Sequence, residues 1–263
     1  MRFSKTLCLA SVVTSSLLLS ACSSSPTGRG QLLLFSGAEM SEMGAQSFEQ
    51  MKQQESINLD PKINNYVQCV SNAMTRLLGP QPHFKNWEVV VFDSDQVNAF
   101  ALPGGKIGVY TGLLKVAVNQ DQLAAVIGHE IAHVMADHSN ERLSRSQITD
   151  AGLAISSVAM EGSEYQSMTM AGLGLGVQYG VMMPYGRAQE SESDIVGLRL
   201  MTEAGFDPKQ SVELWKNMAK ASGGQQPPEL LSTHPSHSTR ISDLQSEISR
   251  LPKSSAKRQH CQA

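Results

Sequence analysis

The chain has 263 residues, 41% hydrophobic and 17% charged, a balance that excludes a disordered, collagenous or disulfide-dense protein and allows a sizeable buried core. Its 21 Lys and Arg face 24 Asp and Glu, so there is no basic excess to draw a nucleic acid. The first residues read as an export signal, with Arg2 and Lys5 ahead of an apolar stretch from Leu7 to Leu19 that Ser and Thr dilute. Removing that signal takes both basic residues with it and leaves the remainder more acidic.

The segment Leu19-Ser20-Ala21-Cys22 resembles a bacterial lipobox. The resemblance implies cleavage before Cys22 and acylation of its thiol and new amino terminus. The alternative is a plain signal peptide with Cys22 near its cleavage site. Two or three acyl chains anchor firmly, since each buried methylene contributes about 0.8 kcal/mol and one chain is marginal. By analogy with such lipoproteins, Ser23 in place of an aspartate implies the periplasmic side of the outer membrane, with the inner membrane as the alternative. Residues 23–30 are rich in Ser, Gly and Pro and read as a flexible tether.

Two helical stretches follow, around Ala38 to Gln54 and from Pro61 to Leu78. In the second, Ile63, Val67, Val70, Met74 and Leu77 recur at helical spacing before the stop Gly79-Pro80. Trp87 to Phe92, Asn98 to Leu102 and Lys106 to Tyr110 then predict a small sheet of about three strands. From Gln120 to Asp137 the periodic Leu123, Val126, Ile127, Ile131 and Val134 predict a helix capped by Asn119, with Gln122 three residues on. Arg145 to Met183 is rich in Ala, Gly, Met and Ser, but no apolar run reaches the roughly 18–20 residues of a membrane span. Helices resume at Ala188 to Ala204, Pro208 to Ala221 and Thr239 to Leu251, and the last dozen residues read as loose. With Cys8 in the signal and Cys22 lipidated, Cys69 and Cys261 are left as candidates for a bridge between an early helix and the tail. Two free thiols are the alternative.

The chemistry centres on His129-Glu130-Ile131-Ala132-His133, an HExxH sequence. On a helix, residues four apart share a face, so both imidazoles reach one ion. Glu130 points aside and can take a proton from the attacking water and pass it to the leaving amine. The flanking Ala124-Ala125-Val126-Ile127-Gly128 makes this a buried helix, where two surface histidines are a poor explanation. A catalytic zinc requires a third protein ligand. A metzincin pattern requires glycine at 136 and histidine at 139, and Ala136 and Ser139 exclude it. The acidic stretch from Glu190 to Asp194 offers a carboxylate instead: Glu190 as ligand, with Asp194 one turn on to hold an imidazole tautomer. A solvated helix face is the competing reading of that cluster, and Glu192 is left to solvent.

The sequence GHEIAHVMADH, followed by ESESD and preceded by VNAFALPGGKIGVYTGLL, resembles the membrane-associated gluzincin endopeptidases of the CAAX-prenyl-protease and HtpX type. Within that group it resembles more the periplasmic lipoprotein and outer-membrane quality-control branch. The resemblance implies one zinc per chain held by His129, His133 and Glu190, with Asp194 behind them. Its late His-Pro segment, here His234 with Arg240 six residues on, implies that His234 approaches the metal, either to stabilise the oxyanion or to block the open position. The same resemblance makes Asn98, Ala99 and Phe100 an edge strand that binds substrate, with a merely structural hairpin as the alternative. It places Arg145 to Met183 where relatives carry a mobile segment over the site; core packing and a shallow membrane contact are the alternative readings of the same composition.

The expectation is an α+β zincin-like metallopeptidase domain, mainly helical with a small sheet. Residues 1–21 are the lipoprotein signal, 22–30 the lipidated cysteine and tether, 31–251 the zinc endopeptidase and 252–263 a tail. The implied substrates are unfolded or misassembled envelope proteins, met at the membrane and in contact with outer-membrane assembly machinery. A latent chaperone of the same fold, its metal covered by His234, is the alternative.

Overall fold

A computed structural model describes residues 22–221, 237–252 and 254–262. A short antiparallel hairpin, β1 (Cys22–Ser24) and β2 (Gly30–Leu32), opens it. Helix α1 (Gly37–Gln54) starts at a capping box, in which the Ser36 hydroxyl accepts from the Glu39 N–H and the Glu39 carboxylate accepts from the Ser36 N–H. Helix α2 (Pro61–Thr75) is capped by Asp60 with Pro61 in its first turn, and a 3-10 turn extends it over Arg76–Leu78.

Strands β3 (Glu88–Phe92), β4 (Ala99–Leu102) and β5 (Lys106–Tyr110) form a sheet in the order β3-β5-β4. The β3 pairing is parallel and the β4 pairing antiparallel. Alternation assigns its two faces. Val91, Ile107, Val109, Ala99 and Ala101 join the main core, while Phe92, Tyr110 and Phe100 pack with Phe48 of α1 on the other side. Against the main-core face lie α4 (Gln120–Met135), which follows a short α3 (Thr111–Leu114), and beyond it α7 (Met183–Glu203). The Asn119 carboxamide oxygen accepts from the N–H groups of Asp121 and Gln122, as the cap requires, but the Gln122 side chain accepts from Val118 rather than from Asn119.

The helix of the HExxH sequence ends at Met135, and Asp137 turns the chain through a left-handed conformation (φ 51°) into α5 (His138–Ala159). The Met- and Gly-rich stretch is helical: the outer half of α5, then α6 (Gln166–Val177), then a π turn over Gln178–Met182 that leads into α7. Ile155, Val158, Met168 and Leu175 stand exposed on it. No helix among the described residues is long and apolar enough to cross a membrane. Helices α8 (Lys209–Ala221) and α9 (His237–Arg250) complete the order.

Two expectations are corrected. Residues 22–30 are not a flexible tether, because the hairpin is fastened by Arg29, which donates two bonds to the buried Glu141 of α5 and two more to Glu192 of α7. The final residues are not loose either. Arg258 pairs with Asp121, the Gln259 N–H donates to Gly205, and Cys261 is bridged to Cys69 of α2 with their Cα atoms 5.7 Å apart. That bridge closes a separation of 192 residues, so Cys261→Ser is expected to lower unfolding free energy by about 2–5 kcal/mol in urea titrations under non-reducing conditions.

Burial favours the protonated form of Glu141, but the bonds from Arg29, Gln189 and Gln31 outweigh it and hold this carboxyl down at about 2. The stability it contributes is therefore full above the ordinary glutamate range, near 4.5, and is lost as pH falls toward about 2. Glu141→Gln is expected to cost about 3 kcal/mol at pH 7, as for a broken buried pair. Denaturant titrations should show the gap between variant and parent shrinking at pH 3.

Candidate metal centre

The site is built where α4 and α7 cross. Gly128 and Gly197 meet there without side chains. A Cβ on Gly197 would lie 2.8 Å from the His129 nitrogen, so only glycine permits this approach. Glu190, Asp194 and Gly197 recur at i, i+4 and i+7, one stripe of α7, and the crossing therefore aims both carboxylates at the histidines of α4.

His129 Nε2 lies 3.1 Å from His133 Nε2 and 3.1 Å from Glu190 Oε2, and His133 Nε2 lies 3.4 Å from Glu190 Oε1. Tetrahedral coordination with bonds of about 2.0–2.1 Å spaces donor atoms about 3.3 Å apart. Two imidazoles and a carboxylate at these distances fit a zinc ion, and among the described residues His129, His133 and Glu190 form a cluster able to hold a metal. Glu190 is buried at 1% exposure, so its charge calls for a cationic partner. Arg142 and Arg240 supply part of this, at 3.3 and 3.6 Å.

The rings are held from behind through Nδ1. His129 Nδ1 is 2.9 Å from Asp194 Oδ1, which also accepts from Arg240 Nη2 at 2.7 Å. Arg240 is 1% exposed and lies over the Trp215 ring at 3.7 Å. Burial and Arg240 favour a neutral His129, yet Asp194 and Glu190 outweigh them and raise its pKa to about 9. The ring must give up that proton to become a ligand. Burial pushes His133 down to about 3 and so keeps it neutral. Its Nδ1 stands 2.8 Å from His138 Nδ1.

Glu130 is outside the ligand cluster. Burial lifts its carboxyl above the usual range, and the Ala101 N–H on β4 donates to it. That contact sets Glu130 beside the edge strand. Asn98 is exposed and its side chain accepts from the Ala99 N–H. Phe100 packs against Phe48, Phe92 and Tyr110, so its ring belongs to the fold and leaves only its backbone for a ligand. His234 lies outside the described residues.

Glu192 corrects the sequence reading. It is 3% exposed, not solvated, and accepts from Thr27, Arg29 and His138. His138, Glu192 and Arg29 are the residues around the site that sequence reasoning missed. The only available signal was an arginine within a supposed tether. Beside Glu190, a cavity of about 260 Å³ is lined by Arg142, Arg145, Met182, Met183 and Tyr185.

Two histidines one helical turn apart and a carboxylate from a crossing helix are the donor set of a metallopeptidase zinc site. The chain belongs to Peptidase family M48, whose sequence profile matches residues 61–248; the family is zinc-dependent. It is similar to the mitochondrial metalloendopeptidase OMA1 of Schizosaccharomyces pombe (34% identity, 66% of this chain and 49% of the relative). It is also similar to metalloendopeptidase OMA1 of Homo sapiens (31%, 83% and 44%) and to the beta-barrel assembly-enhancing protease of Escherichia coli (28%, 82% and 45%). The chain spans about half the length, or less, of these relatives.

Proposed function

We propose that the protein is a zinc-dependent metalloendopeptidase, one zinc per chain, tethered through Cys22 to the periplasmic face of the outer membrane. In this reading it degrades unfolded or misassembled envelope proteins. The observation that carries the enzymatic part is the convergence of His129, His133 and Glu190 within 4.8 Å, with Glu130 beside them on the side of an open strand edge. Zinc held there would polarise the scissile carbonyl and acidify the water that attacks it. Glu130 takes the proton of that water and delivers it to the leaving amine.

Among the described residues β4 pairs only with β5, so its free edge can accept an extended substrate as a further strand along Asn98 to Phe100. An unfolded chain can offer such a segment and a folded one cannot, which supports misfolded proteins as the substrate class. His234 is assigned by family resemblance to the oxyanion, where a preorganised donor contributes a few kcal/mol. The envelope location rests on the lipobox resemblance and on the similarity to the beta-barrel assembly-enhancing protease, whose name also suggests contact with the assembly machinery.

The test uses the full chain in bacterial cells and after purification. Expected results are outer-membrane fractionation that Cys22→Ser abolishes, and chelator-sensitive cleavage of an unfolded outer-membrane barrel protein but not of its folded form. Cleavage that ignores chelator, or equal cleavage of both forms, would sink the proposal.

A further inference from the structure

The contacts behind His133 run on past the two helices that carry the metal ligands. His133 Nδ1 and His138 Nδ1 are 2.8 Å apart, and His138 Nε2 is 3.1 Å from Glu192 Oε2. Glu192 Oε1 accepts from the Thr27 hydroxyl at 2.6 Å and the Thr27 N–H at 3.2 Å. Oε2 accepts from Arg29 Nη2 at 3.0 Å and Nε at 3.2 Å. Thr27 and Arg29 both belong to the hairpin connection that follows Cys22.

Each proton in this chain has one available place. For His133 Nε2 to offer its lone pair to a metal, its Nδ1 must carry the ring hydrogen. Nδ1 of His138 must then accept, which puts the hydrogen of His138 on Nε2, facing a carboxylate that can only accept. His138 is 1% exposed and Glu192 3%, so water has little access to substitute for a lost partner. Ser193 Oγ, 3.3 Å from His138 Nδ1, is the nearest competitor for that acceptor and is the longer contact.

The two ligand histidines are thus backed alike. Each chain of contacts ends on a carboxylate of α7, Asp194 for His129 and Glu192 for His133. Each carboxylate is met by an arginine from outside the two site helices, Arg240 of α9 or Arg29 of the N-terminal hairpin.

We propose that His138 is a positioning residue for His133, and that the N-terminal hairpin, through Thr27, Arg29 and Glu192, is a working part of the metal centre rather than a spacer. The ring of His133 is locked in its metal-binding tautomer from the end of the chain that follows Cys22. Loss or displacement of the hairpin loosens the metal without touching a ligand.

This rests on the metal centre proposed above, and the experiment separates the two. Zn2+ affinity is measured by competition with a chromophoric chelator on the full chain and on His138→Leu, His138→Asn and Arg29→Met, with thermal unfolding of each metal-free form alongside. Leucine removes the acceptor, and asparagine restores an oxygen close to the position of Nδ1. His138→Leu is expected to weaken zinc binding about 10–100-fold, as for other partners behind metal-bound histidines. His138→Asn should recover most of that loss, and Arg29→Met should fall between parent and leucine variant. Should His138→Leu not fold, Arg29→Met decides. Parental affinity in both His138→Leu and Arg29→Met, or asparagine as weak as leucine with equal metal-free stability, overturns the inference. A folded parent that binds no zinc would instead remove the metal centre itself.

Discussion

Glu130→Gln is expected to abolish peptide-bond cleavage and leave zinc in place. The carboxylate is not among the three clustered ligand atoms, so its loss removes no donor to the metal. Glutamine has the same shape and keeps an oxygen for the Ala101 N–H, which protects the packing of α4 against β4. It cannot take a proton. General-base catalysis of this kind is worth about 10²–10⁴ in rate, so cleavage of unfolded casein should drop by at least that factor while mass spectrometry finds about one zinc per chain in both proteins. Burial, aided by Glu190 and opposed by His129 and Arg240, lifts the Glu130 carboxyl, bringing its basicity nearer neutral pH, where a general base works best. Activity in the parent should accordingly decline as pH falls through that raised value, because the protonated acid cannot act as a base. Zinc in both proteins with undiminished cleavage in the variant would show that proton transfer runs through another group.

Much of the site was legible because helical periodicity places residues without knowledge of the tertiary fold. His129, Glu130 and His133 sit on one apolar helix, and their mutual geometry follows from its pitch. Glu190 was a different case. The run from Glu190 to Asp194 alternates acid and serine; the i, i+4 spacing offered Glu190 and Asp194 as a pair on one face, but a solvated face competed, and only family resemblance decided between the two readings. What distinguishes Glu190, Glu192 and Asp194 in the fold is their partners: the histidines for the first, Arg29 from 163 residues away for the second, and Arg240 for the third. No local pattern carries such pairings. His138 was obscured by the left-handed turn at Asp137, since five residues after His133 is not a helical neighbour spacing. It returns to His133 only because the helix breaks there. The supposed tether failed for the same reason: its Ser, Gly and Pro describe how the segment turns, while its order comes from an arginine that meets two buried carboxylates.

Gly197→Ala is expected to weaken both stability and zinc binding, although alanine is the better helix former. The added methyl would stand 2.8 Å from the His129 nitrogen, 2.9 Å from the Gly128 carbonyl carbon and 3.0 Å from its oxygen. All three are backbone atoms of α4, which cannot rotate away as a side chain would, so the two helices must part. Overpacking of this kind costs about 1–3 kcal/mol, and the larger Gly197→Val should cost more. The same separation sets the distance between His129 on α4 and Glu190 on α7, and a shift of a few tenths of an ångström is felt directly in ligand geometry. Gly174→Ala on α6 is the control, because nothing stands within 4 Å of a Cβ there and the change should gain up to about 1 kcal/mol from helix propensity alone. Thermal unfolding and zinc retention against chelator should therefore separate the two substitutions in opposite directions. If Gly197→Ala instead matched the control, the helix crossing would have slack, and the position of Glu190 would have to be held by Arg142 and Arg240 rather than by the contact of two bare backbones.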